Sequence, residues 1–402
     1  MRHIVGLVGN WGLTVAIAIS AGCGSSPDAD PAAPAVAVDL VNRAYVVSRD
    51  SGDVTVIDLN RFEIIGRVDT RGVLDHMAEL NADFTKIYVD SPGTNETVLV
   101  DARTLTETKR VKLGAEPTHL ALSRDGKYLA VVNEFSNEIS FVDTVKDEEV
   151  KRIGGFFMPH FVRFAPDGKY AYVANNAAHH ITRVDLTTLS IDGHVALDGF
   201  DVPPNETKID GENGFADVQI DKDGVLYGAH ALTGRVLVYD TFAKQKKADV
   251  TVGSKPWIVY AEHPFQDVTK HVVPNFGDAT VSLIKAPQGL IDGDAVPGAD
   301  QESFGVNYSS LVPDYAYVMN RIRSEIAVVD TKSARLINTI DVGGNTETAS
   351  TTADGKYIVA AVSSANRVVV IDALTGGIVK TFDGVGKYPW SVTIPRGQNY
   401  CH

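Results

Sequence analysis

Apolar residues recur along this chain in short bursts at period two, broken by Asp-Gly, Asn and Ser-rich turns, which is the pattern of short antiparallel strands. The stretch 117–154 holds one complete unit. An apolar strand at 119–123 meets the turn Asp125-Gly126, whose tolerance of positive φ suits a tight hairpin, and a second strand follows at 129–133. A polar turn around Ser136 and Asn137 leads to an alternating strand at 139–143, and a fourth strand at 149–153 closes the unit.

The unit repeats. The aspartate that ends the third strand recurs as Asp58, Asp101, Asp143, Asp185, Asp240, Asp330 and Asp372, with Lys285 in the equivalent place of one degenerate copy. The intervals of 43, 42, 42, 55, 45, 45 and 42 residues are those of four strands per propeller blade. The first repeat begins with a second-type strand at 44–48, and the last ends with a lone inner strand at 390–394. Each supplies what the other lacks, so pairing them closes a ring and removes two exposed sheet edges. The expected fold is therefore all-β: a single β-propeller of eight four-stranded blades, with seven as the alternative if the copy around 260–310 is not a blade. The repeated aspartates are expected to be structural, accepting turn amides.

Segments such as AYVAN at 171–175 and ISFVDT at 139–144 resemble the YVTN-type β-propeller repeat. That family is shared with surface-layer-like proteins and, more distantly, with lactonase-like propellers and the d1-haem domains of nitrite reductases. The resemblance covers roughly residues 43–397. It implies a propeller and leaves the activity open, because haem enzymes, hydrolases and plain binding proteins all use this scaffold.

Residues 1–22 carry Arg2, then an apolar run, then small residues before Cys23, the pattern of an export signal. Ser20-Ala21-Gly22-Cys23 resembles a bacterial lipobox, which would place a lipid on Cys23, although Ser20 stands where leucine is usual. The domain expectation is a signal peptide at 1–22, a lipid-anchor tether at 23–42 and the propeller at 43–402. It implies a cell-envelope protein on the periplasmic side, held at the outer membrane. The net charge of −14 and the absence of a basic stripe argue against nucleic acid. With only Cys23 and Cys401, a disulfide framework is not expected. A monomer is.

Insertions interrupt the repeat at 198–214 and at about 287–305, and by strand direction both emerge on one end of the ring. The histidines favour the same end. Aligning inner strands on their hairpin turns puts His76, Thr118 and His160 in one register, with His119 one residue further along. His179 and His180 fall in the second-to-third-strand turn, and His230 replaces an asparagine found at Asn133, Asn175, Asn275 and Asn320. Imidazole suits Zn, Cu or Fe, so His76, His119, His160, His179, His180 and His230 are candidate metal ligands, and a transition metal or haem is the candidate cofactor. The structural alternative is that these rings only satisfy backbone groups in a polar channel.

Trp257 and Trp390 share the same register, each following a proline, and with Tyr308 they are candidates for holding a planar cofactor. Asn307, Glu347 and Asp217 are placed at the same channel mouth. Two functional classes follow. One is a binding or interaction protein that takes an unidentified protein or small molecule on its mouth, besides the membrane through its anchor. The other is a metal- or haem-dependent redox enzyme built on the histidines. No residue set supports a lactonase-like hydrolase.

Overall fold

The computed structural model describes residues 38–206, 209–261, 270–285, 290–291, 296–297 and 303–399. The leader, Cys23, most of the tether, much of the second insertion and the terminal Cys401-His402 lie outside the described residues. Among those described, no helix is long and apolar enough to cross a membrane.

The chain folds into successive antiparallel sheets, seven of four strands and one of five. Blade 3 shows the plan: Pro117–Leu122 innermost, then Tyr128–Asn133, Glu138–Asp143 and Glu148–Gly154 outermost. Blade 1 combines the two ends of the chain, because Arg43–Ser48 pairs with Pro389–Thr393 through Tyr45↔Thr393, Val46↔Val392 and Val47↔Ser391. The complementary half-blades read from the sequence thus meet as expected. Neighbouring inner strands touch around the circle, including Pro389–Thr393 against Ala78–Leu80 of blade 2 and against Thr346–Thr351 of blade 8.

Blade 6 is the degenerate copy. Lys270–Asn275 pairs with Thr280–Lys285, but the outer strand is split into Leu290–Ile291 and Val296–Pro297. Among the described residues its inner edge is joined by two bridges, Pro256 to Asn275 and Tyr260 to Val272.

Blades stack face to face, so their middle strands are buried on both sides and read as nearly continuous apolar runs, whereas the outer strands alternate toward solvent. A tyrosine recurs at one second-strand position as Tyr45, Tyr88, Tyr172, Tyr227 and Tyr317, each buried. The cores are inter-blade layers, for example Ala130, Phe141 and Val162 between blades 3 and 4. The third-strand aspartates act as read from the sequence. Asp143 Oδ1 accepts the amides of Val145 and Lys146 at 3.0 and 2.9 Å, and Asp58, Asp101, Asp185, Asp240, Asp330 and Asp372 repeat the arrangement. These amide bonds hold the Asp143 carboxyl below the usual range.

Residues 39–42 already belong to the folded unit. Asp39 accepts the amides of Val41 and Asn42 and the side chain of Asn60.

Candidate functional site

At one end of the channel the ladder slips at the start of the inner strands. The pairing shifts between Pro117 and His119, between Pro159 and Phe161, between Phe215 and Val218, between Ser303 and Val306, and between Thr346 and Ala349. An extra residue at such a bulge bends the strand and re-aims its side chain. The slipped stretches hold Trp390, Thr118, His160, Ala216, Phe304 and Glu347, and His76 and Trp257 stand at the corresponding place in the other two blades, so each blade supplies one residue in order around the mouth.

Their side chains converge. The His76 ring centroid lies 5.1 Å from that of Trp390, and His160 lies 6.0 Å from Trp257, reaching past the small Ala216. Arg321, just after the second strand of blade 7, binds Glu347 at 2.6 Å and lies over Phe304 at 3.3 Å and near Trp390 at 5.4 Å. Arg49, at the equivalent place in blade 1, covers Trp390 at 4.6 Å. Tyr388 donates its hydroxyl to Glu347 at 3.0 Å and stacks on Trp390. Beside this group Trp257, Phe276, Phe304, Arg321 and Lys255 line a concavity of about 510 Å³ with the insertion residues 211–213.

Two mouth histidines have fixed tautomers. His76 Nδ1 lies 2.6 Å from the Thr118 carbonyl and His160 Nδ1 lies 2.9 Å from the Ala216 carbonyl. A carbonyl can only accept, so each Nδ1 carries the proton and each neutral ring keeps its lone pair on Nε2. Burial pushes His76 down to about 3, and the charges of Arg49 and Arg321 add to this. Burial also pushes His160 down to about 4. Both imidazoles are therefore neutral near pH 7 and present Nε2 as an acceptor.

Glu134 follows the opposite logic. Burial and the charges of Glu116 and Glu212 push its carboxyl up to about 8, so it is largely protonated at neutral pH.

The histidines read from the sequence form two groups. His76, His119 and His160 are contiguous, with His119 4.7 Å from the first ring and 4.4 Å from the second. His119 itself is fully buried and packs 4.9 Å from Phe161, so it sits between blades. The second group surrounds the first insertion. His179 Nδ1 lies 3.0 Å from His230 Nε2, and the His179 ring stacks on Phe200 at 4.0 Å. His180 Nδ1 meets the Glu206 carboxylate, and Glu206 also accepts the His179 amide at 2.5 Å. His194 joins through Thr182. Burial pushes His230 down to about 3.

The geometry does not match one ion shared by the six. Among the described residues, no three His, Cys, Asp or Glu side chains are placed to hold a metal. The physical reason is that the rings are spent locally: His76 and His160 donate to carbonyls, His119 packs on a phenyl ring, and His180 is held by Glu206.

Three other mouth assignments need correction. Tyr308 is buried in the core, where its hydroxyl donates to the Tyr260 carbonyl at 3.1 Å and accepts the Val272 amide at 3.0 Å. Blade 7 lacks an Asp-Gly hairpin, and without that anchor the alignment slid; Phe304 is the mouth residue and Asn307 lies deeper. Asp217 also lies one step below the mouth, bonded to Gln219 at 2.9 Å, with Ala216 above it. Arg49, Arg321 and Phe304 were missed. The signal that locates the arginines is their place just after a second strand, a position that differs in kind from blade to blade.

Comparison with known proteins supports the propeller. A family model described as YNCE-like beta-propeller matches residues 77–200. No curated protein matches the sequence. The structure is similar to dihydro-heme d1 dehydrogenase NirN in complex with DHE, with a TM-score of 0.74 at 19% identity over 91% of this chain and 78% of that one. It is similar to AztD from Citrobacter koseri, with a TM-score of 0.61 at 12% identity over 87% and 96% of the two chains. BamB from Moraxella catarrhalis gives 0.59 at 14% identity over 84% and 90%. Proteins this different in their names share the scaffold, so the likeness carries the fold and the function has to be argued from the site.

Proposed function

We propose that this protein is an exported, lipid-anchored β-propeller that serves as a binding module and takes its ligand on the channel mouth. One observation carries the reading: the starts of the inner strands deliver Trp390, His76, His160, Trp257 and Phe304 to a single surface that also holds Arg49 and Arg321. Aromatic rings, neutral acceptors and two cations around a concavity of about 510 Å³ are the ingredients of a small-molecule site or a pocket for one inserted side chain. Rigid blades hold these groups in place before a ligand arrives, which lowers the ordering cost of binding. Export and anchoring rest on the leader and on Cys23 within Ser20-Ala21-Gly22-Cys23.

The site contains its own reporter. The sequence has three tryptophans; Trp11 lies in the leader, and Trp257 and Trp390 both belong to the mouth. Titrating the mature protein with a panel of small aromatic and carboxylate compounds should give a saturable change in indole emission for at least one, weakened at least tenfold by Arg321→Met. Binding found by calorimetry that leaves the emission unchanged would place the site elsewhere and overturn the reading.

The second reading, a metal- or haem-dependent redox enzyme, has in its favour the two Nε2 lone pairs of His76 and His160 beside Trp390 and Trp257. Stoichiometric copper, iron or haem in protein purified from the envelope, seen by metal analysis and a visible spectrum, would favour it.

A further inference from the structure

The end of the channel opposite the mouth has its own chemistry. A cavity of about 350 Å³ opens there, walled by inner strands and by their hairpin turns into the second strands. Blades 3, 4 and 5 each contribute one cation to it: Arg124 from a turn, Arg163 from the inner strand Pro159–Phe164, and Lys222 from a turn. Among the described residues the wall holds one acidic side chain, Glu79 of blade 2; Lys222 is also paired with the neighbouring Asp223 at 3.0 Å, so the two guanidinium groups dominate the local charge on a chain whose net charge is −14. Between the charges the wall is apolar, with Met77, Leu122, Phe164 and Ile220.

A second feature points independently to a ligand. The segment 397–399 folds back beneath the channel, where Gln398–Asn399 pairs with the inner strand of blade 8 through Thr351↔Gln398 and Ser350↔Asn399. Asn399 pins it by exchanging hydrogen bonds with the Ile394 backbone, both at 2.8 Å. Gln398 is 2% exposed and lines the cavity. Its Oε1 accepts the Tyr308 amide at 2.7 Å, which settles which amide atom is oxygen, and its Nε2 is a buried donor without a partner among the described residues. A buried N–H of this kind calls for an acceptor, and the surrounding charge favours an anionic one. Arg163 is pre-oriented, with Nε donating to Gln219 at 3.2 Å and its guanidinium over Phe161 at 4.2 Å.

We propose that this cavity binds a small organic oxyanion, a carboxylate or phosphate ester with a short apolar body, held by Arg124, Arg163, Lys222 and the Gln398 amide. The proposal is independent of the mouth. Calorimetry with benzoate and phenyl phosphate, and with benzyl alcohol as the uncharged control, tests it on the mature protein.

At least one of the two anions should bind saturably while benzyl alcohol does not, and Arg321→Met, at the other end of the channel, should leave that binding unchanged. Each guanidinium removed should weaken binding about tenfold, as expected for a charge-assisted hydrogen bond. Arg124→Met with Arg163→Met should therefore lose about a hundredfold. Gln398→Glu keeps the shape and the acceptor for Tyr308 but places a negative charge in the cavity, and should abolish binding. Near-ultraviolet circular dichroism checks that each variant is folded. Binding of neither anion, equal binding of the alcohol, undiminished binding in folded Gln398→Glu, or loss of binding in Arg321→Met would each overturn the assignment.

Discussion

Acidification should destabilise the propeller through His76. The ring is buried and holds a proton with a pKa of about 3, against 6.5 ordinarily, so the unfolded chain binds more protons than the folded one between those values. The folded-state value is depressed, and the stability associated with the neutral ring is fully present above pH 6.5 and is lost as pH falls toward about 3. At 1.36 kcal/mol per unit, lowering the pH from 7 to 5 costs about 2 kcal/mol at this one residue. His160 acts in the same direction but is more open to solvent, so its share is smaller. Glu134 opposes both: its folded value of about 8 lies above the ordinary 4.5, so its contribution to stability grows as pH falls through that window. The test is consequently a difference. His76→Asn keeps a donor for the Thr118 carbonyl and removes the titration. Urea denaturation of wild type and variant at pH 7 and at pH 5 should show the gap between them shift by about 2 kcal/mol in favour of the variant at the lower pH. A gap constant to within about 0.5 kcal/mol would refute the claim that this imidazole is buried neutral.

Further outcomes can be checked individually. Asp101→Ala removes the acceptor for the Arg103 and Thr104 amides and should cost about 1 to 2 kcal/mol in a urea melt. Val392 is 1% exposed and pairs with Val46 across the closure, so Val392→Asp should cost about 3–5 kcal/mol or leave no soluble protein, whereas a ring that does not depend on this pairing would tolerate it. Cys23→Ala should move the protein from the membrane fraction to the soluble one, and mass spectrometry showing an unmodified Cys23 at the mature N-terminus would defeat the anchoring proposal.

The parts of the fold visible in the sequence are those where one physical requirement recurs in nearly every blade. The third-strand aspartate is such a case: seven turns need the same two amides capped, and seven carboxylates answer. Closure was legible for a related reason, since 44–48 and 390–394 each lacked a partner strand. The mouth was legible only where the Asp-Gly hairpin fixed the register. It puts His76 and His160 at the mouth, whereas blade 7 has no such hairpin, and there the pattern points to Tyr308, which belongs to the core. Contacts such as Arg321 with Glu347, Phe304 and Trp390 join different blades, and no spacing along the chain encodes how a guanidinium crosses the channel.

That distinction bears on where function resides. Within this one chain, positions that hold the blades together favour one residue: the capping aspartate stands in seven turns, the second-strand tyrosine in five blades, and an asparagine bonds to a third-strand hydroxyl in Asn133 with Ser140, Asn175 with Thr182 and Asn275 with Ser282. The mouth position, by contrast, runs through tryptophan, histidine, threonine, alanine, phenylalanine and glutamate around the ring. A position that served the scaffold would meet the same neighbours in each blade and tend toward one residue. Eight corresponding positions carrying six different residue types form a surface without the scaffold's rotational symmetry, and an asymmetric ligand requires such a surface. The mouth is therefore where the repeat stops describing the molecule, and the replacements most informative about binding are those that restore uniformity there, such as Trp257→Thr or Phe304→Thr.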